Sequence, residues 1–210
     1  MMKVSIIKKM MTGALALSLV IAPVMNVGAT TTKGSTKSTV EEITASSTSS
    51  IPTTSSAGGV KTTTAGIYMA TNVNGMAVTT SVASIASGYG LANNEKPYSK
   101  FSNLDVKKSP LAKAAIDLAA ASQGATVGPM LNIELGKMAA GKYSLLPSDG
   151  PAIRISLGIP KNFLRSETTY AVVCVRAGGV TSILADVDEK ENTITFDTTG
   201  GAGAYAIIRY

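Results

Sequence analysis

Hydrophobic and polar positions alternate along the second half of the chain. In Met130–Lys137, Leu131, Ile133 and Leu135 fall on one side and Asn132 and Glu134 on the other. A period of two over this length predicts a half-buried strand. Ala152–Ile159 repeats it, with Ile153, Ile155, Leu157 and Ile159 against Arg154 and Ser156. Pro160 stops that ladder, because it has no amide hydrogen to donate. Tyr170–Ala177 and Val180–Ala185 flank Gly178-Gly179, a pair suited to a two-residue turn. Such a turn sets Cys174 opposite Ile183 and Val175 opposite Ser182. Apolar residues on both sides of Tyr170–Ala177 predict a central strand, buried on both faces. Thr193–Asp197 and Ala204–Tyr210 complete a series of short, regularly spaced strands, the signature of an antiparallel sandwich.

Upstream the pattern changes. Ile67–Val73 and Met76–Thr80 flank Asn74-Gly75, the strongest short-range hairpin signal. Ser81–Tyr89 places Val82, Ile85 and Ala86 at helical spacing, with Gly88 and Gly90 to end it. Pro97–Val106 reads as a further strand. Ser109 then stands as an N-cap, with Pro110 at the first helical position. Leu111, Ala114, Ala115, Leu118, Ala119 and Ser122 follow at helical spacing as one narrow face, and Gly124 supplies the stop. A face of such small residues is expected to lie close on the sheet or its edge and to cover strands left open. The fold class expected is mainly β: an antiparallel, immunoglobulin-like β-sandwich with an N-terminal β-hairpin and one or two short helices. Residues 66–128 form a hairpin-plus-helix region and 129–210 the sandwich, unless 66–210 is one continuous fold. These 145 residues are enough for one real core.

The first 65 residues carry a different message. Lys3, Lys8 and Lys9 precede an apolar run, Met10–Ala22, which Pro23 breaks before the small residues Val27-Gly28-Ala29. Residues 1–29 read as a secretory signal peptide. The run is shorter than the roughly 20 residues that span a bilayer. Thr30–Ala65 is more than half serine and threonine and too poor in apolar residues to offset its ordering entropy, so it is expected to be a disordered spacer. Its composition suits a wall spacer or an O-glycosylated stalk on one hand and a plain disordered tail behind the signal on the other, equally well. Removing the signal lowers the net charge from +6 to +3. Neither a dense basic patch nor aromatic interleaving marks a nucleic-acid footprint. No cysteine follows the apolar run to carry a lipid.

The run IPKNFLRSETTYAVVCVRAGGVTSILADVDEKENTITFDTTGGAGAYAIIRY, from Ile159 to Tyr210, resembles the terminal β-sandwich module of secreted and cell-surface proteins of clostridia-type bacteria. The features carrying the resemblance are the Ile-Pro step, a short helix after it, the Tyr-Ala-Val-Val strand, the glycine turn, the Thr-Ile-Thr-Phe strand and the Tyr-Ala-Ile-Ile strand. It implies a non-catalytic extracellular module and transfers no catalytic residue. Many such proteins continue into a wall-sorting signal; here the sequence stops at Tyr210.

Composition removes several chemistries. The chain has no histidine, which excludes Ser-His-Asp and Cys-His arrangements and the commonest zinc ligand. A Gly-x-Ser-x-Gly elbow is absent. Cys174 is the only cysteine, so an internal disulfide is excluded; it reads as a small apolar residue of a buried strand rather than a nucleophile or intermolecular link. Asp186, Asp188 and Glu191, with Glu189 and Asn192, form the one acidic cluster. Its oxygen-rich composition admits calcium, while Lys190 inside it favours a solvated turn. No other cofactor is expected. Tyr89 and Tyr98 flank the glycine- and asparagine-rich loop 88–94 and are the candidate ligand platforms in a chain without tryptophan. Asp105, Asp117, Glu134, Asp149 and Glu167 are scattered acids with no spacing that assigns them a hydrolytic role.

The function expected is that of a secreted, non-catalytic structural or adhesive cell-surface module. An extracellular carbohydrate- or peptide-binding module is the alternative, and a small carboxylate hydrolase comes third. The partners expected are a wall or extracellular surface component or another protein, not nucleic acid, and not a membrane once the signal is removed. The location expected is extracellular or wall-associated, without a visible sortase-type or lipoprotein anchor.

Overall fold

A computed structural model describes residues 51–188 and 190–210. The expected signal peptide and most of the expected spacer lie outside the described residues. In chain order the strands and helices are β1 (Ser56–Ala57), β2 (Val60–Lys61), β3 (Ala65–Tyr68), β4 (Met76–Val78), α1 (Val82–Gly88), β5 (Glu95–Asn103), α2 (Pro110–Ser122), β6 (Thr126–Ala139), β7 (Lys142–Leu145), β8 (Ile153–Gly158), β9 (Tyr170–Arg176), β10 (Thr181–Ala185), β11 (Thr193–Thr198) and β12 (Gly201–Arg209).

The fold is mainly β. A large sheet runs β10-β9-β12-β6-β5-β3, with β7 also on β6; a small sheet runs β11-β8-β4. Strand β7 continues where β12 stops: β12 reaches Leu135 of β6, and β7 begins at Gly136. Every pairing is antiparallel except β3 with β5. The alternation of the strands decides the layers. Leu131, Ile133, Leu135, Val172, Cys174, Tyr205 and Ile207 point from the large sheet toward Ile153, Ile155, Leu157, Ile194 and Phe196 of the small one, forming the sandwich core. The intervening residues, Ala171, Val173, Val175, Ala204, Ala206 and Ile208, form a second core with α2. The result is three layers: helix, large sheet, small sheet. A sheet buried on both faces needs apolar residues at consecutive positions, and β9 supplies them, with Ala171 to Val175 all buried.

Helix α2 does lie on the sheet, but not by the expected face. Leu111 is 85% exposed and Leu118 69%, whereas Ile116 is fully buried and Ala120 nearly so. The buried stripe is Ala112, Ala115, Ile116, Ala119 and Ala120, which obeys helical spacing as well as the expected one. Alanines on α2 meet alanines on the sheet, so the helix approaches closely, and the single large side chain of the stripe, Ile116, fills the gap. Ser109 precedes the helix without a side-chain capping bond; Pro110 still occupies its first turn.

Four further expectations change. The connection between β9 and β10 is longer than a two-residue turn: residues 177–179 form a 3-10 turn with Gly178 and Gly179 both at positive φ, and the Arg176 amide donates to the Val180 carbonyl. Ser182 therefore faces Cys174, and Thr181 faces Val175, one residue from the expected register. Asn74-Gly75 does not close a hairpin. It carries the chain from β3 in the large sheet to β4 in the small one, docked on β8 by bonds from the Asn74 amide to the Gly158 carbonyl and from the Gly158 amide to the Gly75 carbonyl. Gly158 lies so close under this turn that a β-carbon there would overlap the Asn74 carbonyl. An N-terminal hairpin is present earlier, β1–β2 around Gly58-Gly59. That hairpin falls within the expected spacer, so order begins before residue 65. Strand β6 runs through the expected boundary at 128/129, and the described residues belong to one compact unit.

Candidate functional site

The candidate site emerges from the sheet edges, because an unpaired edge strand presents unused amides and carbonyls to any extended partner. Three of the four lateral margins are capped by the chain itself. Outside β3, the Gly66 and Tyr68 amides donate to the Thr53 and Pro52 carbonyls. Outside β4, the Val78 amide donates to Thr62 Oγ1, the Met76 amide to Ser55 Oγ, and the Thr63 amide to the Val78 carbonyl. Outside β11, the Thr195 amide donates to Asp186 Oδ1 and the Val187 amide to the Thr195 carbonyl.

Strand β10 is the fourth margin, and among the described residues nothing pairs with its outer side. The hydrogen-bonded pairing of Arg176 with Val180 fixes the phase of the ladder. Ser182 and Leu184 are then directed at β9, and Thr181, Ile183 and Ala185 turn their amides and carbonyls outward. Side chains alternate in the same way. Leu184, beside Val172, leans on the sandwich core, while Ile183, beside Val173, lies on the helix-bearing face and is 39% exposed. Val180 at the start of the strand is 66% exposed. From Val180 to Ala185 there is no charge and no proline, two of the devices that ordinarily blunt an edge. The outer side of β7 is also without a strand, but β7 has four residues and begins with Lys142, so it is short and charged.

The tyrosines singled out from sequence have other duties. Tyr89 closes α1, and its ring fills the space above Gly150. Its hydroxyl donates to the Pro151 carbonyl at 2.7 Å and accepts from the Gly200 amide at 2.7 Å. Burial raises its pKa, against the lowering effect of that amide. Tyr89 is therefore a staple between loops, not an exposed platform. Tyr98 meets Tyr143 edge to face at 5.9 Å, and Lys100 Nζ stands 3.6 Å over the Tyr143 ring. Burial, aided by Glu134, drives the Tyr143 hydroxyl far above its ordinary value. Tyr98 is thus paired with Tyr143 of β7 rather than with Tyr89.

The acidic turn is likewise tied into the backbone around it. Asp186 Oδ1 accepts from the Asp188 and Thr195 amides, Asp188 pairs with Lys190 at 3.0 Å, and Glu191 is exposed. Asp186, Asp188 and Glu191 are not gathered as a ligand set, and among the described residues no group of three acidic or thiol side chains is placed to hold a metal ion. Glu189 lies outside the described residues. Of the scattered acids, Asp105 caps the turn before α2, Asp117 pairs with Lys113, and Glu134 pairs with Lys100. Cys174 is buried in β9 opposite Tyr205, and desolvation pushes its thiol up, away from the nucleophilic thiolate. A cleft of about 480 Å³ opens beside the Asn74-Gly75 corner, lined by Asn72, Asn74, Pro160, Asn162 and Phe163, with no charged side chain on its wall. The sequence marks β10 as a strand but not as the end of a sheet; its lack of charge is the available signal.

No protein-family model, curated protein or solved structure matches the chain.

Proposed function

We propose that this chain is an exported, non-catalytic structural or adhesive module of the cell surface, which engages its partner by adding a strand to β10. The observation that carries the reading is the uncharged, proline-free margin at Thr181–Ala185 in a molecule whose other lateral margins are capped or, at β7, short and charged. Main-chain bonds supply the affinity in such strand addition, and alternate side chains supply the selectivity. The signal-like residues 1–29, the Ser/Thr-rich stretch after them and the resemblance of Ile159–Tyr210 to bacterial surface modules support an extracellular setting. A carbohydrate-binding role is the second reading, favoured by the neutral cleft of asparagines around Phe163.

The test is retention of the full chain on washed walls and extracted surface proteins of the producing cells. Wild-type chain should be retained, and Ile183→Pro, which removes an outward amide while leaving the β9 ladder intact, should be released. Retention unaffected by Ile183→Pro but lost in Phe163→Ala would instead assign the activity to the cleft.

A further inference from the structure

We propose that the strand completing β10 is the β10 of a second copy, paired antiparallel about a two-fold axis at Ile183. The inference rests on the surface-module reading and names its partner. Three features of the strand make it complementary to itself.

The first is phase. An antiparallel pair alternates between residues that exchange both backbone bonds and residues that exchange none. The outward residues of β10 are Thr181, Ile183 and Ala185. Centring the axis on Ile183 sets Ile183 against Ile183 of the second copy and Thr181 against its Ala185. All three outward residues then fall in bonding positions at once, giving about six inter-copy hydrogen bonds. No slip is needed, and no proline intervenes.

The second is charge. Like charges directly opposite one another oppose strand pairing. A strand that pairs with itself always brings identical or symmetric residues together, so any charge on it would be penalised. From Val180 to Ala185 there is none. A strand selected for an oppositely charged foreign segment would be expected to carry a charge of its own, and β10 does not.

The third is the apolar surface beside the junction. Ile183 projects on the helix-bearing face, where α2 also packs. A two-fold axis normal to the sheet keeps the helices of both copies on that same face. The two Ile183 side chains then meet over the junction, removing from water an apolar group that a single copy leaves 39% exposed. Beyond the junction, the joined sheet keeps the β3 margins, which Pro52 and Thr53 already cap, and the outer side of β7, which is four residues long and begins with Lys142. Pairing therefore closes at two copies and does not propagate into a fibre.

Sedimentation velocity on the full chain tests this, from micromolar to sub-millimolar concentration. The wild type should shift toward twice the protomer mass as concentration rises. Ile183→Lys places two ammonium groups face to face, and Ile183→Pro deletes one outward donor per copy. Both should remain single protomers throughout, with thermal unfolding close to that of wild type at low concentration. Leu145→Lys, on the outer β7 strand, should still double. A wild type that stays a single protomer at every concentration overturns the proposal, as does doubling that survives both Ile183 variants. Pairing and surface attachment separate cleanly. A monomer retained on washed walls would sink self-pairing and leave the surface reading intact, whereas a dimer not retained there would do the reverse.

Discussion

Replacing Ile116 by alanine should cost far more stability than replacing Leu118, although leucine is the more conventional core residue. Both lie on α2. Ile116 is fully buried, among Ala112, Ala119, Ala120 and the sheet residues of the second core, while Leu118 is 69% exposed. Truncating isoleucine to alanine removes three buried carbons and leaves a cavity. Its neighbours here are mostly alanines, which have no side-chain rotamers with which to fill the space. The penalty should therefore fall in the middle of the usual range, about 3–4 kcal/mol. That is a large share of the roughly 5–15 kcal/mol that holds a domain together, and it should lower the melting temperature by about 10 °C. Leu118→Ala should change stability by less than about 0.5 kcal/mol, because the side chain stands largely in water. Urea unfolding followed by tyrosine fluorescence and far-ultraviolet circular dichroism would measure both, since the chain has no tryptophan. A Leu118→Ala variant as damaged as Ile116→Ala would refute the placement of the helix and restore the face containing Leu111 and Leu118 to the core.

Other features of the fold yield sharper or smaller effects. Tyr68 donates to the Thr64 carbonyl and shares hydrogen bonds with the Thr62 and Thr64 hydroxyls, the latter also bonded to Ser99, so Tyr68→Phe should strand buried polar groups and cost about 1–3 kcal/mol in a denaturant titration. Cys174 should resist a soluble thiol reagent in the native chain and react fully once the chain is unfolded; rapid native labelling would contradict its burial. Arg154 holds Asp197 below its ordinary pKa through a two-pronged bond across β8 and β11. A lowered folded-state value means that its contribution is fully present above about pH 4 and is lost as pH falls through the folded value. With both side chains over a third exposed, that contribution should stay under about 1 kcal/mol, and Asp197→Asn should remove it from the acid limb of the stability profile.

What could be read from sequence follows from what is local. Alternation located β6, β8, β9, β11 and β12 to within a few residues, because a strand buried on one or both faces must show its period in its own residues. Pro110 and the helical spacing after it located α2 equally well. The face of α2 was not legible, since both Leu111–Leu118 and Ala112–Ile116–Ala120 satisfy the helical period and only the alanine-rich sheet selects between them. Asn74-Gly75 carried a strong local hairpin signal, yet Ile67 and Met76 joined different sheets, a tertiary choice that turn chemistry does not contain. The β9–β10 register slipped by one because the glycine pair recruited Ala177 into a 3-10 turn.

The candidate site was legible only in part. The lack of charge in Val180–Ala185 was visible from the start, but its significance depends on β10 ending a sheet, which no local pattern reports. Tyr89 and Asp186 looked available because loops with polar and aromatic residues often are. Each is instead consumed by a backbone amide far along the chain or across a strand, Gly200 for Tyr89 and Thr195 for Asp186.

Residue-resolved amide hydrogen exchange across β10 tests the account most directly. In dilute chain, Ser182 and Leu184, bonded to β9, should exchange slowly, while Thr181, Ile183 and Ala185 exchange fast. When the chain is concentrated or bound to its surface partner, all five should become slow. Slow exchange at Thr181, Ile183 and Ala185 in the isolated chain, or fast exchange there in the saturated complex, would contradict the assignment of this margin as the working surface.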